Sequence, residues 1–273
     1  MDLKVLGMFD ARVNGVPVAP SASKPRQLLA TLAVHAGQVV SVGALIDELW
    51  GAKPPRSAQA TLQTYVMQLR GAVGTALEAG GTPAREAKRI LVTRPGGYLL
   101  DRGEGTSDVK EFERLSGLAY QALADRDTDT AARTLRAALG LWRGPAFGDV
   151  RAGALLTLEA RRLEEARLCV QEHRIELELR QGRHRELIGE LGVLVQQHRT
   201  HENLHAHLML ALYRSSRRTE ALDVYQRLRG TLVRELGLEP SEQLRELQHA
   251  VLTASPRLLD APEADYRRLV KAV

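Results

Sequence analysis

The stretch Ser57 to Gly74, SAQATLQTYVMQLRGAVG, spaces Leu62, Val66, Leu69 and Val73 by three and four residues, which makes it a helix with one apolar stripe. Gln59, Gln63, Thr64, Met67 and Gln68 fall on the opposite side, with Arg70 near the end. A helix of this kind lies with one face on a core and leaves an amide-rich face for something else. Amides and a threonine carry the donors, acceptors and methyl group that suit base edges in a major groove, but surface glutamines are also ordinary solvated residues. The flanking sequence has to decide between the two.

Residues 3 to 19 alternate as short strands around Asn14-Gly15, the dipeptide that a two-residue hairpin turn favours. Lys24 to Ala36 then turns helical, with Leu28, Leu29, Leu32, Ala33 and Ala36 on one side and Gly37 as the stop. Ser41 caps a second helix whose buried stripe is Val42, Leu45, Ile46, Leu49 and Trp50, and Gly51 with Pro54-Pro55 ends it. Ser57 caps the third helix. After a polar break at Gly80 to Arg85, RILVTRPGGYLL at residues 89 to 100 reads as a β-hairpin folded at Pro95-Gly96-Gly97.

Three helices followed by a hairpin make a winged helix-turn-helix, in which the third helix enters the major groove and the wing reaches a neighbouring groove or the backbone. The base-contacting candidates are therefore Gln59, Gln63, Thr64, Met67 and Gln68. Arg56, Ser57, Thr61, Arg70, Arg89 and Arg94 are the backbone and wing candidates, with Arg70 placed for the phosphates bordering the groove. The charge distribution agrees. Residues 1 to 103 hold 12 Lys+Arg against 7 Asp+Glu, whereas residues 104 to 273 hold 26 of each, so the whole excess of +5 lies in the N-terminal third. A basic segment joined to a neutral one fits a first part that meets a polyanion and a second that meets protein or ligand.

Gly103 to Ser107 is a small polar link and the expected domain boundary. Beyond it the pattern is helical, and Leu187, Ile188 and Leu191 recur 34 positions later as Ala221, Leu222 and Tyr225, the tetratricopeptide period. An earlier degenerate copy stands at Ala131, Ala132 and Leu135, with an extra stretch around Arg143 to Gly153. This predicts three helix pairs and a closing helix near Ser241 to Leu252, with a concave face suited to protein or peptide.

Several blocks in order also carry a family likeness. KPRQLLATLAVHAG, VVSVGALIDELWG with its Pro pair, TLQTYVMQLR and LVTRPGGYLL resemble the N-terminal domain of the Streptomyces antibiotic regulatory proteins, relatives of the response-regulator effector domains of two-component systems. LHAHLMLALYRSSRRTEALDVYQRLRGTLVRELGLEPSEQLREL is similar to the bacterial transcriptional activator domain that follows it in those regulators. The expected architecture is mainly α: a winged helix-turn-helix with small antiparallel sheets at residues 1 to 103, then an all-α tetratricopeptide-like domain at residues 108 to 258.

The resemblance implies an activator that binds direct repeats about one DNA turn apart as a homodimer. It also implies recruitment of RNA polymerase through contacts that include its sigma factor, and control of antibiotic or other secondary-metabolite gene clusters. Members often carry Arg where this chain has Gln59 and Gln68, so the preferred base sequence does not transfer. The nucleotide-binding and sensor modules of the larger members are expected to be missing.

Other functions find less support. His201-Glu202-Asn203-Leu204-His205 fits HExxH, the zinc-peptidase motif, but no glycine-spaced third histidine follows, and Leu204, Leu208 and Leu212 give this segment a packing role. Exposed histidines standing in for arginines are the simpler reading. There is no GxxxxGK phosphate loop and no GxSxG elbow, and the single Cys169 is expected to be buried in mid-helix. Trp50 and Trp142 read as core residues at helix ends. No enzyme activity, cofactor or metal is expected. With one cysteine, no basic leader and no apolar run of spanning length, the chain reads as soluble and cytoplasmic, without a membrane partner. A repressor or a scaffold built from the same parts remains open at the level of sequence.

Overall fold

In the computed structural model, which describes residues 1–255, Asn14 and Gly15 both take positive φ, 51° and 78°. That is the geometry a right-twisted two-residue hairpin requires. The turn closes strands β2 (Asp10–Val13) and β3 (Val16–Pro17), and β1 (Asp2–Lys4) adds antiparallel to β2 with Leu3 opposite Ala11. Leu3, Ala11 and Val13 turn to the core, as alternation dictates.

Helix α1 (Ser23–Val34) buries Leu28, Leu29 and Leu32 completely or nearly so and stops two residues short of Ala36. A short strand that periodicity does not reveal, β4 (Val39–Ser41), follows. Ser41 then accepts from the Ala44 amide at 3.1 Å and caps α2 (Val42–Trp50), as expected. The buried residues of α2 are Leu45, Glu48 and Leu49. Val42, Ile46 and Trp50 are only half-buried, so the expected five-residue apolar stripe is narrower than the sequence suggests.

Helix α3 (Ala58–Ala79) is longer than its apolar stripe and buries Leu62, Val66, Leu69, Val73, Ala76 and Leu77. A 3-10 turn (Ala84–Glu86) follows the polar break, and the short helix α4 (Ala87–Ile90) takes the first two residues of the segment read as hairpin. The wing proper is β5 (Leu91–Arg94) and β6 (Gly97–Leu100), and β6 also pairs with β4, giving the order β4-β6-β5. Gly96 turns the tip at φ 77°, and a Cβ on Gly97 would meet the Val40 carbonyl at 2.3 Å, so the two glycines are fixed for different reasons.

The link at 103 to 107 is hydrogen-bonded to the first strand. Leu3 N donates to Thr106 O at 2.9 Å and Thr106 N donates to Asp2 at 2.7 Å. Helices α5 (Asp108–Ala124), capped by Ser107, and α6 (Thr128–Leu139), capped by Asp127, pack on each other. Trp142 is buried, as expected, edge-on to Phe112 at 5.6 Å, with the Arg167 guanidinium 4.7 Å above its ring. Residues 1–170 form one compact unit, and the division from the second unit falls inside α7 (Ala154–Arg180). Cys169 is exposed rather than buried, and its Sγ lies 3.5 Å from the Tyr120 hydroxyl. The reason is positional: Leu168 and Val170 take the inward directions around it.

The second unit, from residue 171 onward, continues with α8 (His184–Gln197), α9 (Glu202–Arg214), α10 (Arg218–Leu236) and α11 (Glu242–Leu252). Helix α9 packs against both α8 and α10, and every residue from Leu204 to Tyr213 is buried. Ser241 caps α11 through the Leu244 amide, at the place where the sequence puts the closing helix. No helix among the described residues is long and apolar enough to cross a membrane. The proposed domain end at 258 lies outside the described residues.

Candidate nucleic-acid interface

Helix α3 separates its two faces as its spacing requires. Leu62 and Leu69 are no more than 1% exposed, whereas Gln59, Gln63, Thr64, Met67 and Gln68 are all exposed, Met67 to 67%. An unbranched thioether so far out of the core is an apolar surface without a partner in the chain. Thr64 Oγ1 donates to Ala60 O at 3.0 Å. With the hydroxyl turned back to the helix, the side chain offers its methyl group outward.

The start of α3 differs from expectation. Ser57 stands at the N-cap, but its side chain accepts from no first-turn amide; it has φ −90° and ψ 12°, outside the extended region that a capping side chain needs. Its Oγ instead faces Thr61 Oγ1 at 3.4 Å, while the Ala58 amide is satisfied by Pro55 O at 2.9 Å. The turn that Pro54-Pro55 imposes thus orients the helix end without using the serine hydroxyl as a cap. Arg56 is exposed beside it.

Arg70 has a role that its sequence position does not predict. Its Nε and Nη2 donate to Leu91 O at 2.9 and 2.7 Å, and Nη2 donates also to Thr93 Oγ1 at 2.8 Å. A planar guanidinium fork holding one carbonyl twice fixes the wing against α3. Nε and Nη2 of Arg70 are thus engaged within the protein, a wing-bracing role beside the phosphate contact expected from its position. Arg89 lies on α4 and not in the hairpin, 2.9 Å from Glu86 and with 83% of its side chain exposed. Arg94 is the exposed end of β5, next to the tip.

Behind the helix, Trp50 stacks on Tyr65 with ring centroids 6.3 Å apart and nearly parallel planes, and Lys24 Nζ sits 5.8 Å from the Trp50 ring. Lys24 also donates to Leu49 O, the C-terminal end of α2. Burial and the nearby Arg151 lower its pKa, while Glu48 opposes the shift. These contacts hold α1, α2 and α3 as one body. The α3 periodicity shows Tyr65 between the two faces, but nothing local shows its stacking partner.

Three carboxylates tie this body to the α5–α7 segment. Asp108 Oδ1 and Oδ2 accept from Val5 N at 2.9 Å, Oδ2 accepts from Leu6 N at 3.1 Å, and Arg143 pairs with it at 2.6 Å. Burial raises the Asp108 pKa, and the amides and Arg143 hold it down in part. Asp149 accepts from Phe9 N at 2.7 Å and pairs with Arg26. Glu48, only 3% exposed, accepts from Gly153 N and Leu155 N, both at 2.7 Å, and so caps α7. One sequence signal existed for Glu48: it stands three residues after Leu45 and one before Leu49, on the buried face of an amphipathic helix.

The HExxH segment is not assembled as a metal site. Glu202 accepts from Ser241 N and Oγ at 2.8 and 2.6 Å, fastening α9 to the start of α11. His205 is buried, with Nδ1 3.0 Å from His201 O, so these are not the exposed histidines that the sequence suggests. The reason is that α9 lies between α8 and α10 and buries all its faces. Among the described residues no group of three or more His, Cys, Asp or Glu could hold a metal ion.

Comparison with known proteins agrees with this arrangement. Residues 19–100 match the family model for the C-terminal domain of transcriptional regulatory proteins, and residues 107–252 match the bacterial transcriptional activator domain. The chain is 49% identical over 256 residues to the regulatory protein DnrI of Streptomyces peucetius, covering 94% of this chain and 93% of that one. It is 38% identical over 262 residues to AfsR of Streptomyces coelicolor, where it spans 25% of the longer protein. A solved structure of Mycobacterium tuberculosis EmbR, in complex with a low-affinity phosphopeptide, superposes with a TM-score of 0.83 at 32% identity, covering 98% of this chain and 68% of EmbR. With both domain models matched in order and DnrI aligned over nearly its full length, the chain belongs to the Streptomyces antibiotic regulatory protein family of transcriptional regulators.

Proposed function

We propose that this protein activates transcription by binding direct repeats in promoter DNA as a homodimer, with α3 in the major groove, and by recruiting RNA polymerase through contacts that include its sigma factor. The observation that carries the DNA reading is the amide-rich exposed face of α3, backed by a fully buried stripe and braced by the wing through Arg70. Gln63 and Gln68 are the adenine-reading candidates, the Thr64 methyl suits thymine, and Gln59 and Met67 extend the same face. Because the Ser57 side chain caps no first-turn amide and Pro55 O takes that of Ala58 alone, the start of α3 suits a phosphate oxygen, with Arg56 and Thr61 beside it. Arg89 and Arg94 are the remaining backbone and wing candidates.

Dimerisation has a physical motive. One reading helix contacts few base pairs, and two copies on repeated half-sites supply the discrimination that a genome demands. The second, helical part is proposed to serve dimerisation and activation, and its 34-residue recurrence supports a tetratricopeptide-like reading. The likeness to DnrI favours a secondary-metabolite gene cluster as the target.

The test is a gel shift on the promoters neighbouring the gene, comparing duplexes with one and two half-sites at several salt concentrations. Cooperative occupancy of the paired site is expected. Gln63→Ala and Gln68→Ala should each cost about 1 to 3 kcal/mol on the preferred site and little on a scrambled one. Equal losses on both duplexes would show that α3 does not read bases in this orientation.

A further inference from the structure

A cleft of about 400 Å³ opens in the second unit between the end of α8, α9 and α10, and its charged side chains are Arg199, Arg227 and Arg234, with His205 in the wall. Helix α10 supplies Arg227, Gly230, Thr231 and Arg234, at i, i+3, i+4 and i+7. The apolar stripe of α10, Ala221, Val224, Tyr225, Leu228 and Leu232, is separate and packs, while this row is cationic at both ends and bare in the middle: a Cβ at Gly230 would meet no atom within 4 Å. Val195, Val224 and Leu228 form an apolar floor and are themselves buried.

No acidic side chain lines the cleft: Glu235 lies 3.5 Å from Arg234, Glu220 is near enough to Arg227 to feel its charge but is paired with Arg217, and Glu202 is held by Ser241. Burial lowers the His205 pKa, and Arg227 adds to the shift. The lining of the cleft, with its three guanidiniums, is thus cationic. Forked donors of this kind match phosphate oxygens, and the volume lies in the range of small-ligand sites.

We propose that this cleft binds a small phosphorylated ligand, its phosphate held by Arg199, Arg227 and Arg234 over Gly230 and its organic part against Val195, Val224 and Leu228. The site belongs to the helical unit and does not depend on the DNA reading above. A regulator holding such a site responds to the level of a phosphorylated metabolite.

Isothermal titration of the full chain with sodium pyrophosphate at constant ionic strength tests this. Two variants separate the cleft from general attraction of anions to the basic N-terminal domain. Gly230→Leu keeps every charge, fills the open slot and improves helix propensity. Arg227→Gln with Arg234→Gln removes two of the forks. One pyrophosphate per chain is expected, at a Kd on the order of 100 µM or tighter, with at least about ten-fold weaker binding in each variant and unchanged gel shifts on promoter DNA. Wild-type affinity in Gly230→Leu would overturn the proposal, as would no binding to the native chain. An Asp/Glu-rich peptide that displaces pyrophosphate at lower concentration would also overturn it, in favour of a protein-docking surface.

Discussion

Glu48→Gln tests whether the winged helix and the helix pair behind it are one mechanical body. The Glu48 carboxylate accepts from Gly153 N and Leu155 N at 2.7 Å each and from Gln27 Nε2 at 3.1 Å, in a site only 3% exposed. Glutamine keeps the shape and one carbonyl oxygen, but its NH₂ must face a backbone N–H. One charge-assisted bond is lost, at about 1.5 to 3 kcal/mol, and a buried donor is left opposed, at about 1 to 3 kcal/mol. The sum, reduced for local relaxation, is about 3 kcal/mol. For a protein of this size about 2 to 4 °C accompanies each kcal/mol, so the melting temperature should fall by about 6 to 12 °C. Circular dichroism melts of the full chain, beside the exposed control Glu78→Gln, read this directly. Gly153→Ala is an independent probe, because its Cβ would lie 2.2 Å from Glu48 O and 2.7 Å from the carboxylate. A Glu48→Gln melt within about 2 °C of wild type would refute the clamp.

Arg70→Lys should weaken binding to specific and scrambled duplexes through a displaced wing while changing the slope of log affinity against log salt by less than one contact; a full unit of slope would show the phosphate contact instead. Stability should fall with acidity, because burial depresses the His207 pKa to about 4 and also lowers those of His184 and His205. Above about pH 6.5 both states are neutral. Between there and about pH 4 the unfolded chain takes up a proton at His207 that the folded chain refuses, at a cost of at most about 1.4 kcal/mol per pH unit, and His184 and His205 act in the same direction. Urea titrations from pH 7 to 4.5 should show that slope lessened in His207→Gln, and an unchanged slope would remove His207 from the account. A fragment of residues 1–103 should melt well below one of residues 1–170, since it lacks Asp108, Asp149 and Gly153; equal melts would show that these ties contribute nothing.

The parts of the fold that are legible in the sequence are those with local causes. Asn14-Gly15 and Pro95-Gly96-Gly97 specify their turns by φ and by close approach, and the stripe from Leu62 to Val73 specifies the buried side of α3 and hence its exposed amides. What the sequence hides has a different origin. The wing-bracing role of Arg70 is not legible because nothing near it in sequence shows that Leu91 and Thr93 will come within reach. Strand β4 is only three residues long and exists because β6 offers it a ladder. His205 reads as solvated until α8 and α10 close on both sides of α9, and Cys169 reads as buried because its neighbours are apolar, although the helix turns it outward.

The carboxylate ties bear on what DNA binding can transmit. A domain boundary read from Gly103 to Ser107 suggests a hinge, since small polar residues cross it. In the folded chain Asp108 holds the amides that follow β1, Asp149 holds Phe9 and Arg26, and Glu48 holds the start of α7. A hinge at 103 would have to break at least the bonds of Asp108 and Asp149, which are part-buried, and those between Thr106 and β1. Local opening against that many bonds at once is rare on the scale of binding. The α5–α6 pair and the first half of α7 are thus carried with α3 as a single body. On the proposed mode of binding, the position of α3 in a groove would then set the position of everything up to residue 170.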